Sequence, residues 1–217
     1  MSSSGEHLKS GWVPSDDRCA PTLRATLERI GGNSSRRCIG IDAPRMALPS
    51  RPEWSWSAAQ SKWSASGVVA AGRHCEVIVA AHKLASPQWT PLERDAPEWM
   101  RLGFSLFSEL NDLGPLFEIF PSAAYRQLER DSDASFSIML SDFSRGPTDM
   151  LDAAVGAFVV REFIGGKGCE VGGGDGLGRI ILPRPIDDRQ PSMLNWPGLR
   201  GAVQRALLQS TGGRCAV

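Results

Sequence analysis

Three short apolar runs, Cys38-Ile-Gly-Ile-Asp42, Leu116-Phe-Glu-Ile-Phe120 and Arg179-Ile-Ile-Leu182, are separated by longer stretches with helical periodicity. Strands separated by helices favour parallel pairing, and a parallel sheet must be covered on its faces. An α/β fold with a central sheet under helices is therefore expected. Pro21 and Thr22 introduce one helix, with Leu23, Leu27 and Ile30 on one face and Gly31-Gly32 as its stop. The clearest helix covers 96–110, where Trp99, Leu102, Phe104, Leu106, Phe107 and Leu110 form an apolar stripe. Asp95 and Glu98 around Pro97 read as a variant of the capping box. Ser122 is expected to cap a short helix holding Tyr125 and Leu128, and a further helix runs from near Thr148 through Val155, Phe158 and Val159.

Other stretches are less defined. Residues 51–66, with Trp54, Trp56 and Trp63, read as an ordered loop or covering segment, and 73–84 fits a strand or a helix equally. Residues 165–178 read as a glycine-rich loop. Residues 1–20 are a poorly specified segment, 21–185 a single domain, and 186–217 a Pro-rich extension with an amphipathic segment at Leu199, Val203, Ala206 and Leu207.

Acidic and basic residues both total 24, so no net field draws the chain toward nucleic acid or an anionic membrane, and a nucleic-acid partner would need a local patch. Cys19, Cys38, Cys75, Cys169 and Cys215 form no CxxC pair, which points to reduced, structural thiols in a cytoplasmic protein. The start lacks a basic, apolar signal, and the longest apolar stretch is interrupted by Asp152, Arg161 and Glu162, so neither export nor a membrane span is expected. Gly172-Gly-Gly-Asp-Gly-Leu-Gly178 matches neither GxxxxGK[ST] nor GxGxxG, and no GxSxG occurs.

The chemistry concentrates in four carboxylates. Glu118 stands among Leu116, Phe117, Ile119 and Phe120. Buried alone it would cost several kcal/mol, so it must bind a metal, pair with an Arg, or face solvent on an edge strand. Asp42 ends an apolar strand, where ligand sites of open sheets form, or else closes an Asx turn onto Pro44. Asp149 and Asp152 share one face at a helix start, as ligands or as ordinary dipole partners. Together the four form an oxygen-rich, His-free set suited to Mg²⁺ or Mn²⁺, and two such ions can drive phosphodiester hydrolysis. Crowding of this kind without a cation would make Glu118→Gln stabilising.

Six short motifs recur in order: Ile41-Asp-Ala-Pro44, Gly72-Arg-His-Cys-Glu76, Trp99-Met-Arg-Leu-Gly103, Glu118-Ile-Phe-Pro-Ser-Ala123, Asp149-Met-Leu-Asp-Ala-Ala154 and Gly178-Arg-Ile-Ile-Leu-Pro183. In these motifs the chain resembles the family called Domain of Unknown Function 429, regarded as predicted nucleases of the RNase H-like superfamily. The resemblance spans about residues 38–185. It implies a three-layer RNase H-like fold with a central mixed sheet, with Asp42, Glu118, Asp149 and Asp152 as catalytic metal ligands. Arg73 and Glu76 match a segment of the family whose role the resemblance leaves open: substrate binding, with Arg73 as a phosphate contact, and an Arg73–Glu76 ion pair are equally simple readings. The family pattern begins with an acid-bearing strand that has no clear counterpart before Gly11, so leading strands are expected to be missing. The function expected is a hydrolase: a metal-dependent nuclease or phosphodiesterase. The alternatives are a non-catalytic RNase H-like binding module and a hydrolase of a small phosphorylated metabolite.

Overall fold

A computed structural model of the chain describes residues 16, 18–30, 37–50, 54–57, 62–65, 72–131 and 147–186. In chain order its elements are α1 (Cys19–Ile30), β1 (Ile39–Ile41), β2 (Trp54–Ser57), β3 (Lys62–Ala65), α2 (His74–Ala81), α3 (Glu98–Glu109), β4 (Leu116–Ile119), α4 (Pro121–Leu128), α5 (Pro147–Ile164), β5 (Cys169–Gly172) and β6 (Arg179–Leu182). Four strands form one mixed sheet in the order β1-β4-β6-β5. β1, β4 and β6 run parallel, as strands joined through helices should, while β5 pairs antiparallel with β6 across the glycine-rich turn.

Strand alternation assigns the two faces. Ile41, Glu118, Ile180 and Val171 are register partners across the four strands and therefore share one face. There Ile180, Val171 and Leu182 pack with Cys75 and Val79 of α2, and Ile41 packs with Phe107 of α3. Ile119 and Ile181 point to the opposite face, against Val155, Val159 and Val160 of α5 and Ala124 of α4. The result is three layers of helix, sheet and helix, the arrangement expected from the alternating pattern. α5 lies close to the sheet because residue 156 is glycine: a Cβ there would fall 2.1 Å from Ile119 Cδ1.

Several local expectations are corrected. Residues 54–57 and 62–65 pair as an antiparallel two-stranded ribbon, where a covering loop was expected. The ambiguous 73–84 region is helical over His74–Ala81. Asp95 closes a 3₁₀ turn and Pro97 occupies the N-cap of α3, with no side-chain cap hydrogen bond. Ser122 does not cap α4, because the N-cap is Phe120 and Pro121 fills the first helical position, where its missing N–H costs nothing. Residues 169–172, read as part of a loop, form β5. The segment before Gly11, the Gly31-Gly32 stop, the amphipathic segment at 199–207 and Cys215 lie outside the described residues. Among the described residues no helix is long and apolar enough to cross a membrane.

Candidate active site

Glu118 sits in the middle of the sheet with apolar register partners on both sides, Ile41 and Ile180, and is 3% exposed. The fold supplies the counter-charge from α2. Arg73, the residue before that helix, is 1% exposed, and its guanidinium grips both oxygens of Glu118, with Nη1 donating to Oε2 at 2.7 Å and Nη2 to Oε1. The same guanidinium binds Glu76, three residues on, through Nε at 3.1 Å and Nη2 at 2.9 Å. Its remaining bonds go to the Thr90 hydroxyl at 3.1 Å and the Leu177 carbonyl at 3.3 Å. All five donors of Arg73 are therefore used inside the protein. Glu76 is equally saturated, accepting also from the backbone N–H groups of Arg73 and Thr90 and from the Thr90 hydroxyl.

One cation thus faces two buried carboxylates. Burial raises the Glu118 carboxyl above its ordinary value, and the Arg73 bonds and the Arg45 N–H pull it back. That Arg45 N–H donates to Glu118 Oε2 at 3.0 Å, so Glu118 also fastens the turn that follows β1. With three donors already bound, about one of its four lone-pair positions is open.

Asp42 stands on that turn, at the carboxyl end of β1. It is exposed at the surface, yet protein crowds its carboxyl from several sides. Desolvation, helped by the charges of Asp152 and Glu118, pushes it up to about 6. Asp152 is half-buried on α5, and its carboxylate acts on the Tyr125 hydroxyl of α4. Burial and the nearby Asp152 and Asp42 carboxylates push the Tyr125 hydroxyl up to about 12. α4 and α5 pack on each other, which brings these two side chains together. Asp42, Asp152 and Tyr125 therefore form a polar group contributed by three elements.

The sequence-derived residues separate into two sets. Asp42 is within electrostatic reach of both Asp152 and Glu118. Asp149 is exposed in the first turn of α5, and its charge is not among those that shift Asp42. Arg73 and Glu76 are interior, and their polar atoms are bound to protein rather than offered to a ligand. Tyr125 and Arg45 were not singled out from the sequence as site residues. Tyr125 is the only tyrosine of the chain, but a phenol on the face of a short helix carries no local sign of its partner. Arg45 acts through its backbone N–H, which no sequence pattern reveals.

A cleft of about 340 Å³ opens over this region, lined by Asp42, Pro44, Ser86, Gln88, Trp99, Glu118 and Ser122 among others. Arg73 is the basic residue in its lining, and that side chain has no donor left to give. Among the described residues no group of three or more His, Cys, Asp or Glu side chains is arranged to hold a metal ion. No family model, no curated protein and no solved structure matches the chain.

Proposed function

We propose that the chain is a divalent-metal-dependent phosphodiesterase whose cation is carried by Asp42 and Asp152. The observation that carries this reading is Asp42, at the carboxyl end of β1 and in the lining of a cleft, with the charge of Asp152 from α5 acting on it. Their mutual repulsion is what a hard cation relieves. Mg²⁺ is commonly bound by one or two carboxylates with water completing its shell, so this pair fits a single hydrated ion. A pair of ions would need further carboxylates, and Glu118 has most of its capacity committed to Arg73 and Arg45. Such an ion supplies Lewis acidity and a water of lowered pKa.

The remaining roles belong to the protein's own side chains. Tyr125 places a neutral hydroxyl beside the two carboxylates, where it can donate to Asp152. Glu118, locked by Arg73, holds the Arg45 N–H and with it the turn that carries Asp42. The lack of an available cation among the described residues that line the cleft favours a small phosphodiester over a nucleic-acid polymer, whose backbone calls for several arginine or lysine contacts. The test is release of nitrophenol from bis(4-nitrophenyl) phosphate, alongside dinucleotide and polynucleotide substrates, with and without Mg²⁺ or Mn²⁺. Metal-dependent turnover abolished in Asp42→Asn and kept in Asp149→Asn supports the reading. Absence of metal-dependent turnover on every substrate refutes it in favour of a non-catalytic binding module.

A further inference from the structure

Three large apolar side chains are exposed among the described residues, Met46, Trp99 and Ile164. A scattered exposed side chain needs no explanation, but Trp99, at 45% exposure, lines the same cleft as Asp42. Its place there is built in. Trp99 and Gly103 are four residues apart on α3 and so share a face. A Cβ at Gly103 would fall 2.3 Å from the Ala43 Cβ, so the helix can lie this close to the turn after Asp42 only because that residue is glycine. The close approach sets the indole one helical turn away, over the cleft. Ser86, Gln88 and Ser122, all exposed, supply hydroxyl and amide groups around the same space.

We propose that Trp99 is a stacking platform for the base of a single nucleotide unit, with the Gln88 amide facing the base edge and the phosphate directed to Asp42 and Asp152. An indole face suits any base, and a carboxamide offers both a donor and an acceptor to its edge. Among the described residues the free polar groups of the cleft are neutral or acidic, which favours a phosphate that arrives with a divalent cation. That part rests on the phosphodiesterase reading, whereas the stacking does not.

Calorimetric titration of the full chain separates the two. The probes are adenosine 5′-monophosphate and ribose 5-phosphate in Mg²⁺, and adenosine without metal. Adenosine 5′-monophosphate should bind roughly 5- to 150-fold tighter than ribose 5-phosphate, the range one stacked base provides. Trp99→Ala should erase that ratio and Trp99→Phe keep most of it. Trp99 is exposed, so both variants should fold, which circular dichroism checks. Adenosine binding that depends on Trp99, without any gain from phosphate and Mg²⁺, would uphold the platform while refuting the phosphodiesterase. Equal binding of the two phosphates, an unchanged ratio in Trp99→Ala, or no binding of adenosine or its monophosphate up to millimolar concentration overturns the proposal.

Discussion

At the residue scale, one side chain reorganises the expected site. Glu118 in an apolar strand had three outcomes open to it, and the fold realises the ion pair, through Arg73. That choice was half legible: the cost of the buried carboxylate follows from its neighbours, but the partner lies 45 residues away and sequence spacing gives no hint of it. The pairing also reverses the expected response to Glu118→Gln. Removing one member of a buried pair leaves the other charge uncompensated and costs about 3–5 kcal/mol. Arg73→Ala should destabilise by that amount, and Glu118→Gln in the same direction, both read from urea denaturation. Asp42 has the opposite linkage. Its folded pKa, about 6, lies above the ordinary value of 3.8, so the native state binds more protons between those values. Its charge therefore penalises folding fully above about pH 6, and the penalty vanishes as pH falls below about 4. Solvent access at this exposed position weakens the effect. Asp42→Asn should raise the melting temperature at pH 7.5 and leave it unchanged at pH 3.5. Equal shifts at both values would show that Asp42 acts through packing and not charge.

At the scale of elements, the long periodic segments were readable and the short ones less so. α3 and α5 follow from their apolar residues, and β1, β4 and β6 from apolar runs between helices. β5 escaped because Cys169-Glu-Val-Gly172 is short, carries a charge and ends in glycine, so its strand character comes from pairing with β6 rather than from its own pattern. The 54–57 and 62–65 ribbon escaped for another reason: Trp54-Ser-Trp-Ser57 does alternate, but a four-residue run among further Ser and Ala is too short to separate a strand from an ordered loop. Close helix contacts were likewise hidden inside ordinary glycines. Gly156→Ala would set a methyl against Ile119 Cδ1 in a packed core, where overpacking costs about 1–3 kcal/mol, against about 1 kcal/mol that alanine gains over glycine inside a helix. The variant should melt lower, and the companion change Ile119→Val, which trims that side chain, should recover part of the loss. No recovery in the double variant would show that the clash with Ile119 is not the cause.

At the scale of the whole molecule, three layers bring β1, α4 and α5 together so that Asp42, Tyr125 and Asp152 share one end of the sheet. The presence of an acidic site could be read from the types and placement of residues along the chain. Its membership could not, because Asp149 and Asp152 share a helix face in sequence, while the fold leaves the first exposed and sets the second beside Asp42 and Tyr125. A cation that binds this pair stabilises the native state alone, by roughly 1.4 kcal/mol at tenfold excess over its dissociation constant. That corresponds to a rise of about 3–6 °C in melting temperature for a chain of this size. The most direct measurement is therefore titration of the metal-free protein with Mn²⁺, followed by melting temperature and calorimetry in the wild type and in Asp42→Asn, Asp152→Asn and Asp149→Asn. The account predicts one binding event with a rise of that size, lost in the first two variants and retained in the third. No response to millimolar Mn²⁺ in the wild type, or an Asp42→Asn protein that responds as the wild type does, would contradict it.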